Sequence, residues 1–99
     1  MKREQAIEIK IPLGLHLRVA IRLVELAKKF DATIMLTNTH HIQASAHCVI
    51  DLLMLEASQG DIINVCATGN DAPQALKAIH FLLSHQSSPS QQDITRDLF

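Results

Sequence analysis

The sequence predicts an α+β domain, one four-stranded sheet with three helices on one face. Two observations carry this reading. Short stretches with period-two alternation are interleaved with two amphipathic stretches of helical period. Their order, β-α-β-β-α-β-α, suits a single sheet whose helices all pack on the same side. With 99 residues the chain is long enough for one such domain and too short for two.

Each element has its own signal. Residues 5–11 alternate, with Ile7, Ile9 and Ile11 on one side and Ala6, Glu8 and Lys10 on the other, as in a half-buried strand. Pro12-Leu13-Gly14 breaks that strand. A helix is expected over Leu17–Lys29, where Ala20, Leu23, Val24 and Ala27 form an apolar stripe opposite Arg22, Glu25, Lys28 and Lys29. Phe30 closes that stripe and Asp31 ends it. A second strand follows over 32–37 with Ile34 and Leu36 inward, then a turn at Thr37-Asn38-Thr39-His40 and a short strand from His41 to Ala44.

A short apolar helix is expected over Cys48–Leu55, and Ser58-Gln59-Gly60-Asp61 reads as a turn. In residues 61–68, Ile63, Val65 and Ala67 alternate with Ile62, Asn64 and Cys66, giving a β-branched fourth strand. The last helix has Asp71 as N-cap and Pro73 in its first turn. Its inward stripe is Ala72, Ala75, Leu76, Ile79, Leu82 and Leu83. The composition turns polar after His85, so residues 1–85 are expected to form the domain and 86–99 a loosely attached tail.

Composition excludes several functions. Nine basic against ten acidic residues, and three aromatics that are all Phe, leave no basic stripe or stacking platform for nucleic acid. No apolar run approaches a membrane span, and the start of the chain lacks the apolar segment of a secretion signal. The protein is expected in the cytoplasm. Cys48 and Cys66 have no Cys-x-x-Cys spacing and read as two buried thiols. His40 and His41, being adjacent, point to opposite faces of a strand. His80 and His85 are five apart, where helical chelation needs three or four. Pairing His40 or His41 with His47 fits a solvated loop better than zinc, so neither metal nor cofactor is expected.

The chemically informative stretch is Gly14-Leu15-His16-Leu17-Arg18-Val19-Ala20. A glycine turn places His16 at the start of a helix, whose first N–H groups lack internal partners and carry partial positive charge. Arg18 adds a planar cationic fork suited to phosphate oxygens. Imidazole, helix end and guanidinium together make a site for a phosphoryl group on histidine. From the residues alone, a simple cap or surface histidine remains the other reading of His16.

This stretch resembles the phosphohistidine motif of the HPr family, the small phosphocarriers of the bacterial phosphoenolpyruvate-dependent phosphotransferase system. The resemblance runs from about residue 5 to 84 and includes the later segment Ala46-His47-Cys48-Val49-Ile50-Asp51-Leu52-Leu53-Met54-Leu55-Glu56. That segment looks most like the nitrogen-related (NPr) branch. The resemblance implies that enzyme I phosphorylates His16 on Nδ1, that Arg18 steadies the phosphate, and that the group then passes to a histidine of an enzyme IIA-type acceptor. The chain would be a carrier rather than an independent catalyst. The implied fold is an open-faced β-sandwich, an antiparallel sheet in the order first, fourth, second, third strand.

Three residues depart from the family pattern. Leu17 stands where a small residue is usual, Val19 where proline is usual, and Cys48 at the position of the regulatory serine of Gram-positive members. Without proline the helix start gains an N–H donor and loses a fixed φ. Val19 therefore favours a rival reading, a regulatory docking module of the same fold with weak or lost transfer. Cys48 at a helix start could act as a redox handle, although a plain capping or buried thiol is the simpler reading.

The partner surface is read from helical wheels. Leu17 and Ile21 fall at the edge of the first helix's buried stripe. In the short helix Cys48, Leu52 and Leu55 share one face and Val49, Ile50 and Leu53 the other. Two turns that are apolar on both sides cannot bury both against one sheet, so the surplus marks an interface or packs under a loop or the tail. Leu17, Ile21, Val49, Ile50 and Leu53 are the expected contacts, in agreement with the role of this helix in binding enzyme I in the family. Glu25, His47 and Asp51 thin the basic ring that HPr proteins show, so the preferred donor need not be a sugar-type enzyme I. A monomer is expected.

Overall fold

The computed structural model describes residues 1–84; the tail expected over 86–99 lies outside them. The elements are β1 (Lys2–Glu8), α1 (Leu17–Ala27), β2 (Thr33–Thr37), β3 (Gln43–Ser45), α2 (Val49–Met54), β4 (Ile62–Thr68) and α3 (Ala72–Ser84). The strands form one sheet in the order β1-β4-β2-β3, every pair antiparallel. Inward residues meet across it: Ile7 opposite Ile63, Ile34 opposite Ala67, Leu36 opposite Val65 on one side and Ala44 on the other. All of these are buried. The opposite face carries the row Glu4, Cys66, Met35, Ser45. Since successive side chains alternate between faces, this second face is the uncovered one.

The helices supply the rest of the core. Ala20, Leu23, Val24 and Ala27 of α1, Leu52 of α2, and Ala72, Ala75, Leu76, Ile79 and Leu83 of α3 are buried with the inward strand residues. No polar or charged residue is buried among the described residues. Leu82, expected in the α3 stripe, is instead half-buried at its edge.

Several boundaries move, each for a physical reason. β1 begins at Lys2 and ends at Glu8 rather than covering 5–11. It is an edge strand, and of its residues only Ile7 is buried, so its first half pairs with β4 through the backbone without an apolar signal. Ile9 and Ile11 keep the alternation past the strand because the chain continues inward, with the Ile9 N–H donating to the Asp61 carbonyl (2.9 Å) and the Ile9 carbonyl accepting from Gly60 (2.7 Å). α1 closes at Ala27, where i→i+3 bonds from Lys29 to Leu26 and Phe30 to Ala27 tighten the exit. β3 starts at Gln43 because Asn38 Oδ1 accepts from the His40 and Ile42 N–H groups, holding the preceding residues in a turn with His41 at φ 66°. Asp71 immediately precedes α3, yet its carboxylate accepts the Asp31 N–H at 2.8 Å and so ties the α1–β2 turn to α3.

Candidate functional site

The segment before α1 is built to aim His16. The Gly14 N–H donates to the Ile11 carbonyl (3.2 Å), closing a four-residue turn with Pro12 at its second position and Leu13, at φ 68°, at its third. Gly14 follows at φ 66°, and a Cβ there would lie 2.5 Å from the Ala57 carbonyl oxygen and 2.6 Å from Ser58 Cα. Glycine lets the two backbones touch. The Leu15 N–H then donates to Ala57 (2.9 Å), and the Leu15 side chain is buried. His16 is thus the first residue outward from a doubly anchored segment.

His16 is the N-cap of α1, extended at φ −92° and ψ −179°, and its side chain makes no capping hydrogen bond. Its backbone does the local work: the carbonyl accepts from Ala20 (2.9 Å) and the N–H donates to Gly14 (3.0 Å). The imidazole is half-buried and uncommitted to the helix end. No acidic residue sits in the first turn of α1, so nothing on that turn cancels the positive end of the helix dipole. Arg18, two residues after His16, is exposed in that first turn. His16 and Arg18 both line an open groove of about 930 Å³, which runs along α1 past Ile21 and Lys29 and reaches Leu82 of α3. The groove can hold an anion at its histidine end and an apolar or acidic segment along its length.

The apolar surface is redistributed relative to the sequence reading. Leu17 and Ile21 are 57% and 42% exposed. On α2, Ile50 is 66% exposed, whereas Val49 and Leu53 are half-buried and pack against the core. Exposed apolar residues outside the expected set include Met54 at 67% and Leu13 at 83%. Met54 lies four residues after Ile50, so it shares a helix face with it; that spacing was the available signal. Leu13 had none, because its exposure comes from the turn.

Cys48 is the N-cap of α2, again without a side-chain capping bond. Both cysteines are free and half-buried rather than enclosed. Cys48 caps a helix end with its backbone, and Cys66 faces outward from β4. His40, His41, His47 and His80 are exposed, and no group of three His, Cys, Asp or Glu residues is placed to hold a metal among the described residues. His85 lies outside them. No described helix is long and apolar enough to cross a membrane.

Comparison with known proteins fits this geometry. The profile described as "PTS HPr component phosphorylation site" matches residues 3–85. The chain belongs to the HPr family. Among curated HPr-family proteins it is similar to the phosphocarrier protein NPr of Escherichia coli K12, at 43% identity over 79 residues, covering 80% of this chain and 88% of that protein. Among solved structures it resembles HPr-C-His of Thermoanaerobacter tengcongensis (TM-score 0.77, 33% identity, 82% of this chain and 90% of that one). HPr of Bacillus anthracis superposes with a TM-score of 0.79 at 23% identity, covering 83% of this chain and 96% of that one; at that identity the likeness concerns the fold. The HPr-family architecture, an open sheet with three helices on one face, is the one found here. Residues 86–99 lie beyond the family match.

Proposed function

We propose that the protein is a cytoplasmic phosphocarrier that takes a phosphoryl group on His16 and hands it on. The donor is enzyme I, charged from phosphoenolpyruvate, and the acceptor is a histidine of an enzyme IIA-type protein. The observation that carries this reading is the His16 side chain, set at the head of α1 yet making no capping bond, beside Arg18 in an open groove.

The unprotonated Nδ1 of His16 attacks phosphorus in line as the bond to the donor's histidine nitrogen breaks. The P–N bond then forms on His16, and the donor histidine leaves with the electron pair. Because P–N bonds are exchanged at similar energy, the step reverses readily toward the acceptor. Arg18 and the first N–H groups of α1 meet the phosphate oxygens, and their contribution is electrostatic positioning rather than acid–base chemistry. An open groove serves a carrier, since the two reacting histidines must approach from separate proteins. Leu17, Ile21 and Ile50, with Val49 and Leu53 at the margin, supply the apolar part of the docking face.

The test is a reconstituted relay of phosphoenolpyruvate, either a sugar-type or a nitrogen-related enzyme I, this protein, and an enzyme IIA-type acceptor. Label is expected on the acceptor only when the carrier is present, and faster with one enzyme I, which assigns the branch. Tight binding of either enzyme I with no label passed on would favour the docking-module reading instead.

A further inference from the structure

The groove beside His16 ends at Leu82, two residues before the last described residue of α3. Any chain continuing from Ser84 therefore starts next to it. Its floor is apolar, with Leu17, Ile21, Leu26 and Leu82, and its charged lining is Arg18, Arg22 and Lys29 against Glu25. The sequence that follows has complementary chemistry. A polar stretch, Gln86-Ser87-Ser88-Pro89-Ser90-Gln91-Gln92, leads to Asp93-Ile94-Thr95-Arg96-Asp97-Leu98-Phe99, where apolar residues alternate with acids and a single cation. None of residues 86–99 is needed to complete the family domain, whose match stops at 85.

We propose that residues 86–99 are an intramolecular ligand of this groove. Ile94, Leu98 and Phe99 cover its apolar floor, Asp93 and Asp97 meet Arg18 and Lys29, Arg96 meets Glu25, and the segment competes with partners for the face around His16. Reach permits it. The ten residues from Ser84 to Ile94 can span up to roughly 33–36 Å when fully extended. The eleven residues of α1, which the groove follows, extend about 16 Å. A linker matched to its span gives a high effective concentration. Closure entropy favours this groove, which α3 itself helps to line, over the pocket beside Met54, which no α3 residue lines. Occupation of the groove stands independently of transfer; its regulatory consequence rests on the carrier reading above.

The two are separable by experiment. In the full chain, Ile94→Ser, Leu98→Ser and Phe99→Ser are combined, leaving its length unchanged, and backbone amide NMR spectra are compared with the wild type. Docking predicts shifts at His16–Lys29 and around Leu82, independent of protein concentration. Shifts confined to residues near the substitutions, shifts centred on Ile50 and Met54, or shifts that grow with concentration would each overturn it. With enzyme I and phosphoenolpyruvate, the same variant is expected to accept phosphate about three- to tenfold faster at limiting donor, as when the open form is roughly a tenth to a third of the population. An unchanged rate alongside groove shifts would overturn the competition while leaving the docking established. No acceptance by either protein would count against the carrier reading alone.

Discussion

Gly14 and Leu13 carry opposite lessons about the turn before His16. At Gly14 the left-handed backbone coincides with contact against Ala57 and Ser58, so Gly14→Ala meets both strain and collision. It should cost about 2–3 kcal/mol, visible as a lowered urea midpoint, and should slow phosphate acceptance because His16 loses its anchor. Leu13 has the same backbone sign but points into solvent at 83% exposure. Relief of its left-handed cost, about 1–2 kcal/mol, outweighs the extra chain entropy of glycine, about 0.5–1 kcal/mol. Leu13→Gly should therefore stabilise the fold by roughly 0.5–1 kcal/mol, and an unchanged or lowered midpoint would contradict this. At Arg18 the prediction concerns transfer. Loss of charge-assisted hydrogen bonds to phosphate, about 1.5–3 kcal/mol, should reduce acceptance by Arg18→Ala about ten- to a hundredfold while thermal stability stays near wild type, since the side chain is exposed.

The start of α1 shows what a helix requires and what it tolerates. Ala20 donates the first hydrogen bond of the helix, to His16, so the Val19 N–H has no place in the ladder. Val19→Pro should accordingly fold with stability within about 1 kcal/mol of wild type, whereas Ala20→Pro should cost about 3 kcal/mol or more by removing that bond. Unfolding midpoints of the two variants check the contrast, and equal losses would refute the assigned helix start. α1 and α3 were legible because their inward stripes repeat at helical period over three turns. The limits of β1 were not, since an edge strand can pair through its backbone while its side chains are solvated, and Ile9 and Ile11 mimic a longer strand. α2 was legible as a helix with an unburied apolar side. Which residues fill that side depends on how the helix is rolled against the sheet, and the roll leaves Ile50 and Met54 out while turning Val49 and Leu53 toward the core.

For the whole molecule, the sheet order and the helices on one face bring α1, with His16 at its head, against α2. The strand order could not be read from periodicity, which says nothing about which strands pair; it came with the resemblance, through the two motifs around His16 and Cys48. The candidate site was legible because helix-start chemistry is local in sequence: a glycine turn, an imidazole and a guanidinium lie within Gly14–Arg18. The groove reaching Leu82 was not, because it joins residues far apart in the chain. If the exposed apolar residues of α1 and α2 together form the docking face, Leu17→Glu combined with Met54→Glu should weaken enzyme I binding at least tenfold with an unchanged melting temperature, because both side chains are already exposed. The central claim is the phosphoryl group on His16, and intact mass spectrometry tests it most directly. After incubation with phosphoenolpyruvate and enzyme I under non-acidic conditions, the wild type should gain a single phosphate that acid removes, and His16→Ala should gain none. An adduct that persists in His16→Ala or survives acid, or a wild type that binds enzyme I and stays unmodified, would contradict it.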